Sequence, residues 1–288
     1  MKRLTLLLAT AFFCLTVSAQ EKKDTLHVGN MLIVKEGKNK RGKGKVKQIT
    51  IGGNHDVVKK RNVSTNWGIL DLGFSNYDDK TIYNSSVGGY LVNRPGYPAF
   101  SKNDFKLRTG KSINVNIWLF MQKVNLIKHH VNLKYGVGLE LNNYRYKSTI
   151  SYKEGGQIPY GNLPAITSDP FIFRDSITFS KNKLAADYLT VPLMLNFSTN
   201  TSNKNKGFSL SVGVSAGYLY SERNKQKSSE RGKQTNKGDY DLERFKFSYI
   251  AEVGMGQVRL YGSYSPNSIY KKTLDIRPYT VGLRFSNW

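Results

Sequence analysis

The chain has 288 residues, with 44 Lys+Arg against 20 Asp+Glu, a net charge of +24 and a single cysteine. No apolar run after residue 20 approaches the about 18 residues a membrane helix needs, so helical spans are excluded, whereas strands that cross a bilayer by alternation alone are not. Disulfide and thiol chemistry are excluded from any chain that loses Cys14.

Residues 1–20, "MKRLTLLLATAFFCLTVSAQ", read as a secretory signal peptide. Lys2 and Arg3 form its positive start, Leu4 to Val17 its apolar stretch, and "VSA" the small residues before a cut after Ala19. That cut removes Cys14 and two positive charges, taking the net charge from +24 to +22. A secreted chain rarely meets nucleic acid, so the partners such charge suits are outer-membrane lipid, lipopolysaccharide or another acidic envelope polymer.

Residues 20–64 form a basic leader. "KEGKNKRGKGKVK" (35–47) interleaves Gly and Lys without periodicity and reads as flexible, between two short β-like pieces at 26–34 and 46–51. Those pieces would form a small hairpin or an extra pair of strands.

From residue 65 to 288 the pattern is alternation. The predicted strands are 67–74, 113–121, 131–146, 189–197, 208–220, 245–253, 257–264 and 279–285. "VNLKYGVGLELNNYRY" (131–146) is the clearest, with Val131, Leu133, Tyr135, Val137, Leu139 and Leu141 on one face and Lys134 and Glu140 on the other. In the second strand Ile113, Val115, Ile117, Leu119 and Met121 share the apolar face. Pro192, which has no donor, is expected at a strand end or bulge. Tyr188, Tyr218, Tyr220, Tyr264 and Tyr279 are expected in aromatic girdles.

Long gaps follow the first, third and fifth strands, and short ones follow the second, fourth and sixth, down to "GMG" at 254–256. The alternation is that of an all-β, antiparallel, up-and-down transmembrane β-barrel of about eight strands, or ten if the leader pieces join. Such a barrel sits in the cell outer membrane, with external loops near 77–109, 147–186 and 222–243. The apolar faces then point to lipid, and Gly136, Gly138, Gly213, Gly217 and Gly282 crowd the lumen.

"WGILDLGFSNY" (67–77), "YLTVPLMLNF" (188–197), "FSLSVGVSAGYLYSERNK" (208–225) and "YTVGLRF" (279–285) resemble the small outer-membrane β-barrel proteins of the PorT-like type found in Bacteroidetes. The resemblance covers residues 65–288 and implies a barrel tied to export of proteins across the outer membrane, with no catalytic motif to transfer. Envelope or secretion proteins are therefore further candidate partners. Trp288 or Phe285 would supply the terminal aromatic residue such barrels use in assembly.

Asp71, Lys134, Glu140, Lys246, Glu252, Arg259 and Arg284 fall on lumen faces. They read either as a salt-bridge network closing the barrel or as the selectivity filter of a narrow pore. Glu252 and Arg259 flank the "GMG" turn and should pair, and Lys134 and Glu140 need partners from Arg284, Arg259, Glu252 and Asp71. His27 and His55 lie in the leader, and His129 and His130 at a predicted periplasmic turn, where adjacent strand residues diverge and make a poor metal site. No cofactor or catalytic group is implied, and the expected role is structural or interactive, with a pore or a lipid-modifying enzyme as alternatives. Tyr90, Tyr97, Tyr160, Phe171, Phe173 and the Lys/Arg of 222–237 are the loop residues expected to meet a partner.

Overall fold

The computed structural model describes residues 24–28, 31–35, 49–50, 61–83, 90–160, 166–199 and 207–286. It divides into two compact units, Met1–Lys60 and Arg61–Trp288. In the first, Asp24–Val28, Met31–Lys35 and Ile49–Thr50 form a three-stranded antiparallel sheet. The two leader pieces thus pair with one another and are not members of the barrel sheet. The signal peptide, most of the 35–47 stretch, His55 and Trp288 lie outside the described residues.

The second unit is built on eight strands: β1 (Val63–Asp79), β2 (Ile113–Ile127), β3 (Val131–Arg145), β4 (Lys181–Ser198), β5 (Phe208–Ser228), β6 (Phe245–Met255), β7 (Val258–Tyr264) and β8 (Ile276–Phe285). Each pairs antiparallel with its sequence neighbours, and β8 closes the ring on β1 through pairs such as Leu283 with Leu72. This is the up-and-down barrel that the alternation predicts, and the ring takes eight strands, not ten. Alternation decides the faces. Every even position of β3 from Asn132 to Tyr144 is buried, while Leu72, Phe74, Leu193, Val212, Phe247 and Leu283 stand exposed on the outer wall. An outer wall this apolar is stable only against lipid.

Three local irregularities correct the predicted faces. Gly68 adopts a positive φ of 67°, and the β2–β3 register slips between Trp118 and Phe120. The bulge turns Met121 inward to pack with Ile69 and Trp118, although simple alternation puts it in lipid. Tyr188 is buried inside the barrel rather than in a girdle, whereas Tyr218, Tyr220, Tyr264 and Tyr279 are exposed as predicted. Pro192 lies in the middle of β4, where the ladder to β3 passes from Thr190↔Gly138 to Leu193↔Tyr135 and omits Val191 and Pro192. The missing donor therefore falls in a gap of one ladder. Lumen crowding is tight at the Gly73↔Gly282 pair, where a Cβ on Gly282 would lie 2.4 Å from the Gly73 Cα, and tighter at Gly213, where one would lie 2.1 Å from the Leu193 carbonyl oxygen.

The two ends of the barrel differ. One carries the tight turns at 128–130 and 256–257, with Lys128 and His129 in the left-handed region. At the other, residues 80–83, 90–112, 146–160, 166–180, 229–244 and 265–275 form a cap. Phe171–Arg174 pairs parallel with Leu91–Val92 and antiparallel with Ile150–Lys153, and Gly232–Lys237 adds to the outer half of β5. Under them lies a core that includes Tyr90, Phe105, Tyr144, Tyr152, Tyr240 and Ile172. Short turns mark the periplasmic side of such barrels and long loops the external side, so the cap is external.

Candidate functional site

All seven predicted lumen charges are buried inside the ring, and they meet. Asp71 accepts two bonds from Arg284, at 2.7 Å each, and further bonds from Trp118 Nε1 (2.7 Å) and Asn116 Nδ2 (3.0 Å). Glu252 is the hub. Both its oxygens lie 2.7 Å from Lys134 Nζ, Arg259 Nη1 donates at 2.7 Å, and Arg284 Nη1 donates as well. The Glu252–Arg259 pairing across the tight turn is the expected one, as is the Lys134–Glu252 pair. Glu140 instead takes Lys246, a partner outside the expected set, together with Asn142 (3.0 Å) and Thr190 (3.3 Å).

An amide chain joins the two clusters. Asn114 Nδ2 donates to Asn142 Oδ1 and Asn116 Oδ1, each at 2.9 Å, and Asn116 reaches Asp71. The Arg284 guanidinium lies 5.3 Å from the Trp118 ring centre, and Lys246 Nζ lies 4.8 Å from that of Tyr188. These asparagines and the tryptophan complete the network, and only their polar-face parity hinted at them in the sequence. Taking three carboxylates and four cations out of water costs several kcal/mol per ion. The cost is met here by bidentate, charge-assisted geometry across the ring. The remaining void among Trp118, Glu140, Met194, Tyr261 and Arg284 is about 20 Å³, room for about one water.

The cap places the predicted contact residues unequally. Tyr90 and Phe171 are buried and hold the cap together, so they do not face a partner. Tyr90 donates to the Tyr240 carbonyl at 2.6 Å. Tyr97 is 54% exposed, and Tyr160 and Phe173 are half-buried against each other. Arg94, which alternation could not single out, lies 4.4 Å from the Tyr97 ring centre and 5.5 Å from that of Tyr160, making one partly exposed aromatic and cationic cluster. Below it Arg174 binds both oxygens of Asp104, at 2.6 and 2.8 Å. Burial alone would raise the Asp104 carboxyl, but the bonds from Arg174 and Ser101 more than offset it and hold the group below its usual range. Tyr146, Tyr152 and Tyr270 form a buried hydroxyl chain with steps of 2.6 and 2.7 Å. Burial lifts Tyr152 and Tyr270 well above 10, so both stay protonated. Among the Lys/Arg of 222–237, Arg223, Lys225 and Lys227 line the outward side of β5.

A closed ring of antiparallel strands, apolar outside, ionic within and elaborated at one end, defines a transmembrane β-barrel of the outer membrane. Residues 71–267 match the model of the outer membrane protein beta-barrel domain, and the chain belongs to that family. No curated relative matches it.

Proposed function

We propose that the protein is a non-enzymatic barrel with a structural or interaction role in the cell envelope, working through its external cap rather than through a channel. The observation that carries this reading is the lumen: its seven charges are spent on one another, and the cap core covers its outer end. A selectivity filter needs charges that face passing ions across water, and an eight-strand ring leaves room only for its own side chains.

Reconstituted in planar bilayers, the protein should give no conductance steps, and regular unitary steps would overturn the closed lumen. The cluster of exposed Tyr97 with half-buried Arg94 and Tyr160 is the surface offered to an envelope or secretion protein. The PorT-like resemblance supports an accessory role in protein export. A deletion strain with normal secreted proteins would remove that role and leave the structural one. Lipid A altered by the deletion would count against a non-enzymatic protein.

A further inference from the structure

The outer halves of β3, β4 and β5 carry basic residues in register with one another and with the hairpin strand Gly232–Lys237. Lys183 stands between Arg145 on β3 and Lys225 on β5. Lys181 faces Lys227, and Lys227 faces Lys233 on its other side. Arg223 faces Lys237. All lie on the outward side of the wall, because the residues between them, Asn182, Leu184, Asn224 and Gln226, are buried inward. On β5 the outward side shifts from even to odd positions at the bulge opposite Asp187 and Tyr188. The row is therefore the upward continuation of the lipid-facing surface.

Like charges directly opposite one another on a sheet destabilise it. Burial, and then Lys181, Lys225, Arg223 and Arg145, push the Lys183 ammonium down to about 8. Lys183 lies well beyond the lipid-facing Leu189–Phe197 stretch of β4. Within the row, Asp187 is paired with Arg223, and Lys183 donates to the Asn143 side-chain oxygen. The height is informative. From Tyr220, the last exposed aromatic residue of β5, to Lys225 is roughly 17 Å along the strand and, at the usual tilt, roughly 13 Å along the membrane normal. A lipid whose anionic head group faced this row would lay its apolar chains against the exposed Leu189 and Tyr218 below.

We propose that this face binds the phosphate groups of lipopolysaccharide in the outer leaflet, with Lys183, Lys225, Lys227 and Lys233 as the main donors. The inference rests on the cap being external. Continuity with the apolar wall favours a ligand that is anionic above and apolar below, over a nucleic acid or an acidic protein.

The test uses the full-length protein in phosphatidylethanolamine vesicles doped with bisphosphorylated lipid A, and reads the lipid A retained after detergent extraction. The combined Lys183→Gln, Lys225→Gln, Lys227→Gln and Lys233→Gln variant should retain at least about tenfold less than the natural chain. A control with Lys102, Lys153, Lys271 and Lys272 changed to Gln, all exposed elsewhere on the cap, should retain as much as the natural chain. Dephosphorylated lipid A should be lost from both. Slower gel migration on boiling confirms that each variant is folded. Equal retention by the row variant, an equal loss in the control, or undiminished retention of dephosphorylated lipid A would each overturn the inference. Lys233→Cys should react with an impermeant thiol reagent on intact cells. Absence of that labelling would overturn the external cap and the inference together, whereas labelling with unchanged lipid A retention overturns the inference alone.

Discussion

Along β3 the inward side chains run Asn132, Lys134, Glu140, Asn142 and then Tyr144; along β4, read outward, they run Asn196, Met194, Pro192, Thr190, Tyr188, Ala186, Leu184 and Asn182. β8 passes from Arg284 and Thr280 to Ile276 in the same way. β3 and β8 thus bury polar groups in their membrane part and apolar groups in their outer part, and β4 runs apolar from Tyr188 to Leu184 before ending on Asn182. The outward faces change in the opposite sense, from Leu193 and Leu189 to Lys183 and Lys181. The strand does not change, but the medium around it does. Where lipid covers the wall, the outside must be apolar and the polar side chains are left to satisfy one another within. Where water covers the wall, burial of apolar area again drives folding, and the interior becomes aromatic.

The contrast can be broken at either end. Its largest test is Glu252→Ala, which leaves Lys134, Arg259 and Arg284 buried around a lost hub. Removing one partner of a buried ion cluster costs about 3–5 kcal/mol. Urea unfolding of the reconstituted barrel should shift by that amount, and an unchanged midpoint would mean that the network contributes little. Phe105→Ala asks the same of the cap, where Phe105 is fully buried between Tyr83, Phe100 and Tyr146. Its cost of about 3–5 kcal/mol should fall on the cap alone. Protease should cut within residues 80–112 or 146–180 while the boiling-dependent gel shift of the barrel persists. Loss of both together would show barrel and cap to be one cooperative unit. Val137→Arg places a charge on the lipid face of β3. At the bilayer midplane this costs about 2–4 kcal/mol, read as reduced assembly into vesicles. Normal assembly would contradict the assigned face.

The sequence revealed the membrane part more fully than the cap. A period of two needs only local residues, so strand faces such as that of Lys134 and Glu140 were legible without knowing the fold. Alternation also limited the partners of Lys134 to a short set that contained Glu252. It could not find Lys246 for Glu140, because ring closure decides which distant strands face each other across the lumen. Met121 and Tyr188 were misplaced because a bulge or a packing demand overrides parity. The cap was illegible for a different reason. Tyr90, Phe105, Tyr152 and Ile172 come singly from different loops, with no period to join them, and only their convergence makes a core. Tyr90 and Phe171 read as contact residues in the sequence because an isolated loop aromatic looks the same whether it packs inward or outward, and both pack inward.

The finest test of the contrast is a proton. Glu222 follows Tyr220 on β5, beyond the membrane-spanning part, and accepts a bond from the Tyr240 backbone N–H at 3.2 Å. Burial in the cap raises its carboxyl to about 7; the Tyr240 bond opposes this and Asp239 adds to it. The folded cap therefore holds this proton more tightly than the unfolded chain, whose carboxyl titrates near 4.5. Stability falls with pH wherever the folded state binds more protons. The Glu222 contribution is thus favourable at low pH, is lost between about 4.5 and 7, and stays lost above. Residues 229–244 should resist protease better at pH 5 than at pH 8, with a smaller effect than either core substitution. Glu222→Gln keeps an acceptor for Tyr240 and cannot ionise, so it should remove most of that pH dependence and match the natural chain at the acid end. A variant that keeps the full pH dependence would assign it to another group.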